Sequence, residues 1–337
     1  LTGLNLGLAL YLEQPTPVTA ALDAVKVSTN SRHWVSIHAT AAHAEEFGLP
    51  FVQAQARNMS VDINAGSDGS VVDYASAVVA VPMGVNLAGG PTQTIDFQGK
   101  SGTLIRASGD FALSVDQFFS ISGSMGVEKS TRELTLADGT QVRADTLSFG
   151  GKNLYAFAGV GGPYWVDTNG DGIYTSADAR PATTGNDGAI GLALENTNFG
   201  LLLSTALPNQ KGAEGLSWSA LSASASSISV VGVSDLTLKV NNLAVDLNLV
   251  QGASADSANA KVIDFASAAG PVGIVTGTGT KQWLAMKGSD GVLARASASG
   301  ELRVGDFLEL SGAVGLERRA QDLVLADGTR VAANMLS

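Results

Sequence analysis

Apolar and polar residues alternate with a period of two over long stretches of this chain. Between 105 and 115, Ile105, Ala107, Gly109, Phe111, Leu113 and Val115 fall on one side, and Arg106, Ser108, Asp110 and Ser114 on the other. Between 118 and 128, Phe119, Ile121, Met125 and Val127 face one way and Ser120, Ser122, Ser124 and Glu128 the other. Leu308, Leu310, Val314 and Leu316 alternate in the same manner with Glu309, Ser311, Ala313 and Glu317. This pattern predicts strands of about eleven residues, roughly 35 Å long, against a usual five or six. One dry face and one wet face indicate antiparallel sheet. The dry face then calls for a second layer to cover it.

The phase of the alternation flips at two matching places. Leu236, Leu238 and Val240 are even-numbered, whereas Leu243, Val245, Leu247 and Leu249 are odd; the flip falls at Asn241–Asn242. Val52, Ala54 and Ala56 give way to Met59, Val61 and Ile63 across Arg57–Asn58. An extra residue that returns the same face to the core is a β-bulge, predicted at both places. Asp-Gly in Ala137-Asp138-Gly139-Thr140 and Ala326-Asp327-Gly328-Thr329 predicts two hairpin turns. Ser67-Asp68-Gly69, Asn186-Asp187-Gly188 and Ser289-Asp290-Gly291 are weaker turn signals. Helix is confined to a turn or two over 19–25 and 41–47.

The chain nearly repeats itself. Leu-Ala-Asp-Gly-Thr at 136–140 returns at 325–329, and Gly7, Trp34, Arg106 and Glu128 match Gly200, Trp218, Arg295 and Glu317. One unit is therefore about 190 residues. The boundaries read as 1–193 for unit A and 194–337 for unit B. Leu1 falls opposite Leu194 and Ser337 opposite Ser148, so both ends stop inside the pattern, as expected of a piece of a longer tandem array. No Pro- or Ser-rich linker separates the copies, and 192–203 runs across the boundary. The expected fold is all-β: long antiparallel amphipathic strands in a two-layer or curled sheet, forming a continuous β-solenoid-like rod. Discrete β-sandwiches are the alternative.

Composition narrows the function. Only 15% of the 337 residues are charged, against roughly 25% in a typical domain, and the 40 glycines exceed the usual share of roughly 7%. A net charge of −11 repels phosphate backbones and argues against nucleic-acid binding, while favouring divalent cations. Cysteine is absent, which excludes disulfides and thiolate chemistry. No apolar run approaches the 18 or so residues of a membrane-spanning helix.

One segment carries chemistry. Residues 167–178 fit a twelve-residue calcium loop: Asp167, Asn169 and Asp171 at positions 1, 3 and 5, Gly172 at the sharp turn, the Ile173 carbonyl at 7, Thr175 at 9 and Asp178 at 12. Ca²⁺ takes six to eight oxygens, and this spacing wraps them around one centre. Asp178 stands where many such loops carry the longer Glu. The loop resembles those of dockerins and related EF-hand-like sequences, although Tyr164-Trp165-Val166 before it and Pro181 after it do not. Unit B stops before its own copy of the loop. The wider pattern of Ala-Asp-Gly-Thr turns and long amphipathic strands resembles tandem modules of giant secreted or surface-attached bacterial repeat proteins, many of them adhesin-like. That resemblance implies an extracellular or cell-surface location and calcium-dependent rigidity.

Other constellations point away from catalysis. His33, His38 and His43 are spaced by five, which sets neighbours on opposite strand faces, and the matching positions in unit B are Ser217, Ser222 and Ser227. They read as a solvated face. No Gly-x-Ser-x-Gly or strand-linked Gly-x-Gly-x-x-Gly occurs, and nothing selects a glycosidase carboxylate pair. Trp34 and Trp218 read as core or seam anchors, and Tyr164 and Trp165 as an exposed aromatic patch by the calcium loop. The expected function is non-enzymatic: a calcium-stiffened structural segment of a large extracellular bacterial surface, filament or adhesin protein. Its partners are neighbouring repeats, with self-association into fibres as a further expectation. The alternatives are a carbohydrate- or surface-binding module that takes surface glycans, and a lipid-carrying β-trough like the bridge-like β-proteins of bacterial envelopes.

Overall fold

The computed structural model describes residues 1–13, 32–45, 51–76, 78–83, 90–171, 174, 178 and 188–337. Long strands dominate: β1 (Asn5–Leu12), β2 (His33–Glu45), β3 (Val52–Gly66), β6 (Leu104–Val115), β7 (Phe119–Thr135), β8 (Gln141–Val160), β9 (Ile190–Ala206), β10 (Ser217–Val231), β11 (Leu236–Gln251), β14 (Leu293–Val304), β15 (Leu308–Val324) and β16 (Arg330–Leu336). These twelve form one antiparallel sheet in chain order. The sheet is not closed; β1 and β16 are its edges. Two short hairpins stand apart from it, β4 (Val79–Pro82) with β5 (Thr92–Ile95), and β12 (Val272–Gly277) with β13 (Thr280–Leu284). No α-helix occurs among the described residues. The segment 41–45 is the end of β2 rather than a helical turn; residues 19–25 lie outside the described residues.

The two halves of the chain build the same series: three long strands, a hairpin, then three more strands. Small details recur with it. Asp73 accepts the N–H groups of Ala75 and Gly99 (3.1 and 2.9 Å), and Asp264 those of Ala266 and Gly288 (3.1 and 2.8 Å). The two Asp-Gly turns close alike: Gly139 donates to Leu136 and Gly328 to Leu325, both at 2.9 Å, with φ of 83° and 84°. Position 193/194 lies inside β9, which pairs with β8 on one side and β10 on the other.

Both expected bulges are present. Register shifts fall between Arg57 and Ser60 and between Asn241 and Ala244. Asn58 and Asn242 sit in the left-handed region there (φ 50° and 52°), a conformation Asn tolerates better than other side chains. The same device recurs at Gly123, Asn153 and Asn196 in β7, β8 and β9.

The covered face is the polar one, contrary to the sequence expectation. Ser120, Ser122, Glu128 and Ser130 of β7 are buried (Ser122 is 1% exposed). Ile105 and Phe149, on the opposite face, remain 48% and 38% exposed. The cause is the route of the long connections. Residues after β3 and after β11 fold back onto the Ser/Gly face, where small side chains let another backbone approach. Their apolar side chains make the cores there. Ile274 and Leu284 of the second hairpin pack with Trp218, Leu202, Ile263, Phe265 and Leu293. Ile95 of the first hairpin packs with Tyr74, Phe97 and Leu104.

Hairpin β12–β13 lies over the sheet from β10 to β6. It crosses a row of glycines set side by side, Gly126 on β7, Gly150 on β8 and Gly200 on β9. A Cβ on Gly126 would stand 2.6 Å from the Val275 carbonyl oxygen, and one on Gly200 3.0 Å from the Gln282 side chain. Backbone therefore rests directly on backbone, a contact that only glycine permits.

Candidate calcium site and buried polar ladder

The loop after β8 begins with an aromatic platform. Tyr155 and Phe157 of β8, with Trp165, Ala189 and Ala193, form a small core that Tyr164 and Tyr174 extend. Trp165 is 2% exposed, and its indole N–H donates to the Ala156 carbonyl (3.3 Å). The expected exposed aromatic patch is thus a buried anchor, because β8 and β9 supply the apolar wall against which both rings pack. Among the tryptophans, Trp283 is the exposed one, at 53%, with the Lys281 ammonium 5.9 Å from its ring centre.

On that platform the first half of the loop turns tightly. Asp167 Oδ1 accepts the N–H groups of Gly170 (2.8 Å) and Asp171 (3.2 Å). Asn169 Oδ1 accepts the Asp171 N–H (2.9 Å), and its amide donates to Asp171 Oδ2 (2.9 Å). Asp178 is buried and accepts the Thr168 N–H (3.1 Å) and hydroxyl (3.3 Å), which ties the end of the loop to its start. Burial raises the Tyr174 hydroxyl above its ordinary pKa, and the negative charges of Asp167 and Asp178 add to the rise. Both carboxylates therefore bear on one place. Ile173 and Thr175 lie outside the described residues. Among the described residues no three His, Cys, Asp or Glu side chains gather closely enough to hold a metal ion. The donor set remains one of hard oxygens, the kind Ca²⁺ prefers. Asp167 and Tyr174 also line an open cleft of about 390 Å³ with Glu45, Gln55 and Ser114.

The histidines do not converge. His38 Nδ1 pairs with Asp62, and His43 Nε2 with Glu45 (2.7 Å). The His38 pair belongs to a ladder that sequence reasoning missed. Asp62 on β3 accepts two bonds from Arg106 on β6 (2.8 and 2.7 Å). Arg106 reaches toward Glu128 on β7 (3.7 Å), which is only 7% exposed. Glu128 also accepts from Arg132 (2.7 Å) and the Ser130 hydroxyl (2.9 Å). Arg132 in turn donates to the Gly273 carbonyl of the overlying hairpin (3.5 Å). The ladder recurs as Asp246–Arg295 (2.7 Å) and Arg295–Glu317 (3.8 Å). The sequence signal was present, since Arg106/Arg295 and Glu128/Glu317 match between copies. Only strand pairing brings them into one line.

Compared with known proteins, the chain matches no family model, no curated protein and no solved structure. No helix among the described residues is long and apolar enough to cross a membrane.

Proposed function

We propose that this chain is a structural segment of a large extracellular bacterial surface, filament or adhesin protein, built from tandem units 1–193 and 194–337 that extend as a continuous rod. One observation carries the reading: a hairpin from the second half crosses the seam and is seated on Gly126 and Gly150 of the first. The two halves also share one sheet through β8 and β9. Such a joint propagates a shape and needs no reacting group. The acidic, cysteine-free, weakly charged composition suits an exported protein of this kind.

Calcium enters the same reading. Asp167, Asn169, Asp171, Thr175 and Asp178, with the Ile173 carbonyl, are the proposed ligands. The ion would stiffen the loop that leads from β8 to β9, the two strands of the joint. Thermal unfolding with calcium and with chelator tests this. Stabilisation follows RT ln(1 + [L]/Kd), about 2.7 kcal/mol at a hundredfold excess over Kd. Absence of titration heat together with identical unfolding in chelator would count against the ion.

A second reading is favoured by the uncovered apolar face. Leu6, Leu8, Ile105, Leu147, Phe149, Leu203, Leu310 and Leu316 are all exposed on large hydrophobic side chains, an extent uncommon on soluble monomers. A trough that carries acyl chains would use this face, and lipid extracted from the purified protein would support it. The glycan-binding reading loses its aromatic patch with the burial of Trp165.

A further inference from the structure

We infer that the apolar face of the sheet is covered by the acyl chains of a lipid bilayer. The inference rests on the second functional reading, in which acyl chains meet this face, and names a bilayer as their source. Strand register sets the face out in rows. Ala107, Val127, Phe149, Leu201, Leu221 and Leu247 stand directly opposite one another from β6 to β11. Along β9 the face continues beyond the bulge to Leu192 and Ile190, which are exposed, and along β11 to the exposed Leu238. Toward the start of β8 it turns polar, where Asp145 stands opposite Thr131 and Thr205.

Both hairpins sit on the other side of the sheet. The glycines they press on, Gly126, Gly150 and Gly200 for one and Gly7 for the other, alternate with the apolar positions. The charged residues of β6, β7 and β11 turn that way too: Arg106, Glu128 and Asp246 into ion pairs, and Asp110 to the Ser124 hydroxyl (2.6 Å). All four tryptophans and all five tyrosines lie on that side or in the segments that cover it. β6–β11 are interior strands. Units added in tandem join the sheet edgewise, as the two halves do through β8 and β9, so they widen the apolar face without covering it.

The chemistry of the face selects its occupant. A protein partner is met through about one hydrogen bond per 100–200 Å² and through Trp, Tyr and Arg anchors, with Leu and Val under-represented. The row from Ala107 to Leu247 has no side-chain donor or acceptor to offer and no such anchor. Acyl chains ask for neither. Strands that meet lipid alternate apolar-out and polar-in, with an apolar band about 25 Å tall and polar groups behind it. A membrane-crossing strand needs about 9–11 residues, and β9 and β11 have 17 and 16. Six strands at about 4.8 Å spacing make a surface roughly 25 Å across, broader than a single lipid covers. The open cleft beside Asp167 and Tyr174 lies on the polar side and does not serve this face.

Flotation of the full chain with phosphatidylcholine vesicles tests the inference, and wild type is expected to rise with them. The absence of cysteine lets a single environment-sensitive label be placed on either side. A label at Leu238→Cys, on the apolar face, is expected to brighten on vesicle addition and to be quenched by lipids brominated in their acyl chains. A label at Lys239→Cys, the next residue and on the polar side opposite Glu301, is expected to do neither. Phe149→Lys is expected to unfold at the wild-type temperature without vesicles, since the ring is exposed, and to partition at least about tenfold more weakly. A chain that stays below the vesicles would overturn the inference. So would equal responses from the two labels, or flotation undiminished by Phe149→Lys. A lipid-free dimer that shields Leu238→Cys from thiol reagents, with no response to vesicles, would assign the face to a second copy and also overturn it. Lipid extracted from a chain that does not float would leave the second functional reading standing and defeat the bilayer alone.

Discussion

The carbonyl oxygen of Val275 lies against Gly126, so close that a Cβ there would be 2.6 Å from it. These residues come from different halves of the chain and from different layers. Their contact seats the second half's hairpin on the first half's sheet, and it explains why a strand otherwise rich in β-formers carries glycine at that point.

Gly126→Val should therefore destabilise the protein by about 1–3 kcal/mol, the usual cost of forcing extra volume into a packed contact. Gly315→Val, at the matching but open position, should change stability by less than about 0.5 kcal/mol. Urea unfolding at low protein concentration compares the two. Equal effects would mean that hairpin seating is not what selects glycine.

The polar ladder should be costlier to break in the first half than in the second. Arg106→Met leaves Asp62 and Glu128 buried with an arginine partner lost, and a loss of about 3 kcal/mol is expected. Arg295 is 46% exposed at its side chain, so Arg295→Met should cost less than about 1 kcal/mol. Paired denaturation curves measure the difference, and a larger loss at Arg295 would contradict the burial argument.

The bulges should tolerate glycine and reject branched residues. Asn242 has φ of 52°. Asn242→Gly should shift stability by a few tenths of a kcal/mol, whereas Asn242→Val should cost about 1–2 kcal/mol because a branched Cβ is strained in the left-handed region. Thermal unfolding distinguishes them, and the same ordering is expected at Asn58.

Acid should weaken the anchoring of the first hairpin. Asp73 accepts the Gly99 and Ala75 N–H groups, which hold its carboxyl below the ordinary value of 3.8. A carboxyl with a depressed folded-state pKa contributes stability above its unfolded value, and that contribution disappears as pH falls through the folded value. Stability measured between pH 5 and pH 2 should fall less steeply in Asp73→Ala than in wild type. Parallel pH profiles would show that the carboxylate does not anchor this loop.

Strands, turns and bulges were legible because each is written locally. The period-two alternation, Asp-Gly at 138–139 and 327–328, and the parity flips at Asn58 and Asn242 all involve residues a few positions apart. The repeated order of elements was legible for a related reason, since matched sequences meet matched local rules. Which face would be covered was not legible. Alternation defines two faces but says nothing of where the chain returns over 67–76, 90–103 and 252–292, and these segments return onto the Ser/Gly side. The burial of Trp165, the Gly126–Gly150–Gly200 row and the Asp62–Arg106–Glu128 ladder run across strands, perpendicular to the sequence. Such alignments exist only once register is fixed, so tertiary structure alone decided them.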